Sequence, residues 1–250
     1  MKRTRVITHF PLLLLCFSTI VYGQKPAVEK SYAMFKKEYY GGISFNTNGW
    51  GLSFYSTRHK TAVVKRLITV DFNVVKHPKE YKIYNPLDDN SKSYVFGKLN
   101  GFATLDVGLG KKKIFFEKLR SKGLQLSANW SVGPSLGLVK PVYLEILKFN
   151  GIEVVGIAEE KYDPESHNLT NIYGRAPNLR GLGEMRFAPG GFAKFGLNFE
   201  FSSEREGLKA LELGAKVNVY PWEIPIMTAI DNKFIFTELY ICLQFGKKYI

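Results

Sequence analysis

Between Leu124 and Leu138 the chain reads LQLSANWSVGPSLGL, with an apolar residue at every second position. The apolar set is Leu124, Leu126, Ala128, Trp130, Val132, Pro134, Leu136 and Leu138; every residue between is polar or glycine. Strand side chains point alternately to two faces, so an unbroken two-residue period predicts a strand with one apolar and one polar face. Its fifteen positions exceed the ~9–11 that a tilted strand needs to cross a bilayer. The stretch predicts a wall strand of a membrane barrel, apolar toward lipid and polar toward the lumen. Pro134 has no N–H to give a ladder, so the crossing is expected to end at Val132, with Gly133 to Leu138 continuing as a bulged extension.

Seven further stretches carry the same signature: Tyr39–Asn46, Trp50–Thr57, Ala62–Lys76, Tyr94–Leu109, Gly191–Ser202, Leu208–Tyr220 and Lys233–Gly246. Asn48-Gly49 between the first two is a hairpin signal. Connections 77–92, 140–190 and 221–232 are long, whereas 58–61 and 203–206 are short. The long ones fall at odd positions in the chain order and the short ones at even positions, as long outer loops and short periplasmic turns would. The expected fold is all-β: an antiparallel up-and-down transmembrane β-barrel of about 8 strands with long outer loops. The count becomes 10 if Pro141–Lys148 and Glu153–Ile157 form another wall hairpin.

A soluble lipocalin-like barrel also alternates, with its apolar face turned inward. The intervening residues favour the membrane form. Many are small (Ser127, Ser131, Gly133, Gly196, Gly214), as a narrow lumen requires. Lys65, Asp71, Asp106, Glu200, Glu212, Lys216 and Glu238 share that face and are expected to plug the lumen as ion pairs. Aromatics near strand ends (Tyr39, Tyr40, Trp50, Tyr94, Tyr220, Trp222, Phe234, Phe236, Tyr249) are expected to form interfacial girdles.

Charge and composition add location. Lys2, Arg3 and Arg5, then an apolar run from Pro11 to Val21, predict an export signal over 1–23 cleaved near Gly23. Residues 24–38 read as a periplasmic lead-in and 39–250 as the barrel domain. Removal of three basic residues takes the formal charge from +13 to +10. In an exported chain this excess points to outer-membrane lipid and lipopolysaccharide phosphates rather than nucleic acid. Cys242 is the single cysteine after cleavage, which leaves no disulfide or CxxC chemistry.

Lys111, Lys112, Lys113, Lys118, Arg120 and Lys122 cluster in what reads as the longest periplasmic connection. They are expected to contact inner-leaflet headgroups or an acidic envelope partner. No catalytic, cofactor or metal site is expected. His59, His77 and His167 fall in turns and loops without a GxSxG elbow. The run Glu159, Glu160, Asp163, Glu165 and His167 lacks the order of a calcium loop. Gly108-Leu109-Gly110-Lys111-Lys112 lacks the spacing of a phosphate loop.

The export signal ending in Tyr22-Gly23-Gln24, the amphipathic strands and the closing run Leu239 to Tyr249 resemble outer-membrane β-barrel proteins of Bacteroidota, an uncharacterised group. Pro141-Val142-Tyr143-Leu144-Glu145 and Tyr162-Asp163-Pro164 with Asn168-Leu169 fit the same group. Phe245 is followed by GKKYI, whereas many barrels finish on an aromatic. The resemblance implies location and fold, and carries no site. The expected function is a non-enzymatic outer-membrane barrel, an interaction or accessory subunit of an envelope export or assembly complex, or a structural membrane protein. A narrow transport or ligand-binding barrel and a lipid-modifying enzyme are the alternatives.

Overall fold

The computed structural model describes residues 35–85, 91–118, 123–151, 153–204 and 206–250. The expected signal and its cleavage point lie outside these, as do most of the lead-in and positions 86–90 of the expected connection 77–92. The strands, in chain order, are β1 (Lys37–Asn46), β2 (Gly49–His59), β3 (Val64–Val75), β4 (Lys82–Ile83), β5 (Tyr94–Val95), β6 (Asn100–Phe116), β7 (Gln125–Pro141), β8 (Tyr143–Asn150), β9 (Glu153–Lys161), β10 (Ile172–Arg175), β11 (Arg186–Glu200), β12 (Gly207–Ile224) and β13 (Lys233–Tyr249). Eight of them close into an antiparallel barrel in the order β1-β2-β3-β6-β7-β11-β12-β13. No described helix is long and apolar enough to cross a membrane.

Register fixes the shape. From Lys37 the cross-strand line passes through Arg58, Arg66, Lys111, Trp130, Phe195, Ala215 and Leu239. It returns to β1 at Thr47, ten residues from its start. A shear of ten over eight strands gives tilted strands and a bore that side chains can fill. Lys37, Tyr249 and the connections 60–63 and 201–206 mark one end, here the turn end. The loops 76–99, 142–185 and 225–232 mark the loop end.

The apolar face points out. On β7, Ser127 is 0% exposed and Val132 60%. Ile43, Leu52, Phe54, Leu109, Phe195 and Ile241 likewise lie on the outer wall, while Asp71, Asp106, Glu212 and Lys216 are buried inside. A lipocalin has the reverse arrangement. The wall therefore suits lipid, and the eight-strand transmembrane barrel is the fold.

Several boundaries differ from expectation. β7 does not stop at Val132. It pairs with β11 from Gln125 to Val139 without a shift, Pro134 opposite Gly191. Its register with β6 is the same before and after Pro134, from Asp106↔Ser135 to Leu109↔Val132. Gly133 shows how close the backbones run there, since a Cβ would lie 2.1 Å from the Val107 carbonyl oxygen. The wall tolerates proline because both neighbouring strands continue past it in register. β6 begins at Asn100, not Tyr94, and runs on through the lysines to Phe116. Tyr94-Val95 instead pairs with Lys82-Ile83. β1 takes in Lys37 and Glu38 from the expected lead-in.

The ten-strand alternative does not occur. β8 and β9 pair with each other and β8 with β10, making a three-stranded sheet outside the barrel. Leu144, Ile146, Tyr162, Ile172 and Tyr94 form its small core. The expected girdle is also split. Tyr39, Trp50, Trp222, Phe234 and Tyr249 are exposed, whereas Tyr40, Tyr94 and Tyr220 are buried. Phe236 packs inward as well.

Candidate functional site: a sealed lumen, an outer sheet and a basic wall

Inward side chains fill the bore in tiers. At the turn end, the Glu38 carboxylate accepts from Lys65 Nζ at 2.5 Å and Thr57 Oγ1 at 2.8 Å, with His59 Nε2 3.6 Å away. Glu200 accepts from Lys118 Nζ at 2.9 Å and Lys248 Nζ at 2.6 Å. Lys112 donates to Asn198 Oδ1 at 3.0 Å. Midway, Glu212 is the hub. It accepts from Tyr240 Oη (2.8 Å), Asn129 Nδ2 (2.6 Å), Gln244 Nε2 (2.7 Å) and Asn198 Nδ2 (3.3 Å). Lys194 donates to Asp71 at 3.0 Å and to Tyr55 Oη at 2.9 Å. Next, Lys216 lies 2.5 Å from Asp106 and 3.2 Å from Glu238.

Charges withdrawn from water need partners of opposite sign and full hydrogen bonding. Lysines pair with Glu38, Glu200, Asp71, Asp106 and Glu238, while Glu212 and Lys112 are held by neutral groups. Asp71 Oδ2, Glu200 Oε2 and Lys216 Nζ are left without a hydrogen bond among the described residues. All seven charges expected there are present, joined by Glu38, Lys112 and Lys194.

An apolar lid closes the loop end. Phe102, Tyr220 and Phe236 pack ring to ring, with Phe102 4.9 Å from Phe236 and 5.6 Å from Tyr220 between centroids. Val75, Val139 and Ala188 complete the layer from the wall, and Ile226 and Met227 from loop 225–232. Leu99 N–H donates to the Ile226 carbonyl and Thr228 N–H to that of Gly97, so two loops hold the lid jointly. Below it, a cavity lined by Ser44, Asp71, Asn73, Lys194, Lys216 and Glu238 measures about 10 Å³, about the volume one water needs. No solute fits there.

A larger cavity of about 240 Å³ sits at the loop-end rim above the short β1–β2 turn. Ile224, Ile226, Ile235 and Phe236 make its apolar part, and Lys76, His77 and Lys233 its basic part. Burial and the charges of Lys233 and Lys79 hold the His77 imidazole below its usual range, with Glu80 opposing.

The expected basic patch does not form one surface. Lys111 and Lys113 point outward from β6, while Lys112 between them points into the lumen and is 0% exposed. Lys118 reaches back to Glu200 and the Ser202 carbonyl. Arg120 and Lys122 lie outside the described residues. The physical reason is that the strand continues through the triple lysine, and alternation separates its members.

The acidic run is likewise engaged. Glu160 pairs with Lys148 at 2.5 Å and with His167 Nε2 at 3.2 Å. Glu159 pairs with Arg180, and Asp163 accepts from the Ser166 hydroxyl and Glu165 N–H. His167 Nδ1 accepts from Asp163 N–H, so its Nε2 carries the proton toward Glu160. Those hydrogen bonds hold Glu160 and Asp163 below the ordinary carboxylate range. Among the described residues no group of three metal-ligating side chains forms. Ser91 contacts the Asn85 carbonyl and Ser166 contacts Asp163.

No protein-family model matches the chain. No curated protein matches it either. Several solved structures are similar to the chain. The chain is similar to Neisserial surface protein A (8% identity, TM-score 0.37), with 86% of this chain and 96% of that one covered. It is similar to the attachment invasion locus protein Ail of Yersinia pestis, solved with the heparin analogue sucrose octasulfate (9%, 0.41), with 86% and 100% covered. It is also similar to the N-terminal β-barrel domain of Pseudomonas aeruginosa OprF (8%, 0.36), with 86% and 97% covered.

Proposed function

We propose that the chain is an integral outer-membrane protein that displays the β8–β9–β10 sheet to a protein partner, and not a channel. The turn end then faces the periplasm and the loop end the exterior. The carrying observation is a sealed barrel that bears a separately cored outer sheet whose β9 edge is apolar and unpaired among the described residues. β9 pairs only with β8. Val154, Val155 and Ile157 on it are exposed, and Val155 falls at a register shift without a partner on β8. An open apolar edge offers backbone groups and side-chain contacts to an extended segment of another protein.

The test uses Val155→Pro, which blocks the edge without removing a β8–β9 pair. Cross-linking in native membranes followed by mass spectrometry should show partner cross-links at residues 154–157 that the variant loses. Identical cross-links from both proteins, or none from the parent, would defeat the proposal.

A second reading, a ligand-binding barrel, is favoured by the 240 Å³ rim cavity with Lys76, His77 and Lys233 beside an apolar floor. A bound anionic amphiphile recovered on purification and lost from Lys233→Glu would support it.

A further inference from the structure

On the lipid-facing wall at the turn end, three strands set cations side by side. Arg58 on β2 stands opposite Arg66 on β3, and Arg66 opposite Lys111 on β6. Lys37 on β1 continues the row, opposite Arg58. All four are exposed. Their neighbours Glu38, Thr57, Lys65 and Lys112 are buried in the lumen, so alternation directs the row outward. The register climbs toward the loop end from β1 to β6, so Lys111 stands highest. Lys113, two residues lower on the same face, returns to about the level of Arg58.

Like charges directly opposite on neighbouring strands destabilise the pair, and a lipid-exposed wall gives them little water. Among the described residues no carboxylate pairs with any member of the row. Glu38, adjacent to Lys37 in sequence, points inward and is taken up by Lys65 and Thr57. The counter-charge must come from outside the chain. Above the cations, Phe54, Ile68 and Leu109 present exposed apolar surface, and Trp130 flanks Lys111.

We propose that this row binds the phosphate of an anionic inner-leaflet phospholipid, whose acyl chains lie along the wall over Ile68 and Leu109. Each cation near an anionic lipid surface changes affinity by about fivefold. The site rests on the membrane orientation above but not on the outer sheet, so a failed partner experiment leaves it standing.

The test is native mass spectrometry of the full chain from micelles holding equal phosphatidylglycerol and phosphatidylcholine. The parent should retain phosphatidylglycerol preferentially. Arg58→Gln with Arg66→Gln should cut that preference by about 25-fold, whereas Arg58→Lys with Arg66→Lys should keep it. Lys209→Gln with Lys247→Gln, at the same end on β12 and β13, should leave it unchanged. In phosphatidylcholine alone the glutamine variant should be at least as heat-stable as the parent, because repulsion is relieved. Any of four results would overturn the site: no lipid preference in the parent, no loss in the glutamine pair, equal loss in the control pair, or a glutamine variant less stable without anionic lipid.

Discussion

Glu212 shows most directly how the lumen holds the wall. Four side chains from three strands (Asn129, Asn198, Tyr240 and Gln244) donate to one buried carboxylate on a fourth. A backbone ladder ties each strand only to its neighbours, whereas this hub ties β7, β11, β12 and β13 across the bore. Glu212→Ala removes the acceptor and strands four donors in a region with no room for bulk water. Breaking a buried charged network in this way costs about 3–5 kcal/mol. The variant is expected to unfold from lipid vesicles at lower urea concentration by that amount. Glu212→Gln, which keeps shape and one acceptor, should lose less. A loss below about 1 kcal/mol for the alanine variant would show that the tiers only fill space.

At the scale of elements, legibility followed the alternation. β7, β11, β12 and β13 were readable because an apolar face persisted for more than ten residues, and the seven lumen charges came with it. Lys194 was readable on the same ground, since it shares parity with Asn198 and Glu200. Lys112 was not. Three consecutive lysines erase the period-two signal and read as a solvated turn, and the apolar Ile114 on the lumen side breaks the outward phase set by Leu105, Val107 and Leu109. Glu38 was hidden by a basic, polar lead-in. The outer sheet was hidden for another reason: β9 is exposed on both faces, so its sequence carries no face to detect. That sheet holds together partly through charge. Glu160 bridges Lys148 and His167 and titrates below its ordinary value of 4.5, chiefly because of the Lys148 hydrogen bond. A carboxylate depressed by folding contributes its stability fully above 4.5 and loses it as pH falls through the depressed value. A spin label at Gly156→Cys, where a side chain meets nothing within 4 Å, should therefore gain mobility as pH falls well below the ordinary carboxylate value of 4.5. It should do so less in Glu160→Gln, which has already lost that charge. A label equally mobile at pH 7 and pH 3 would count against the bridge.

For the whole molecule, two seals of different chemistry lie in series along one bore. The charged tiers exclude solutes because every ion there is engaged by an opposite charge or a neutral hydrogen-bond partner, and the cavity among them is about 10 Å³. The lid excludes water because Phe102, Tyr220, Phe236, Ile226 and Met227 present no polar group to it except the Tyr220 hydroxyl, which faces Ser135. Opening one seal leaves the other. Planar-bilayer recordings of the full chain should show no stable conductance step. Ile226→Ser with Met227→Ser, which loosens the lid, should still show none. Adding Asp106→Ala to that pair unpairs Lys216 on one side and enlarges the tier beneath. That triple variant is the first in which brief, ion-selective openings are expected, with anions favoured by the freed ammonium. Steps from the unmodified chain would contradict a filled lumen. Steps from the lid variant alone would make the lid the working gate and give the ion pairs a purely structural role.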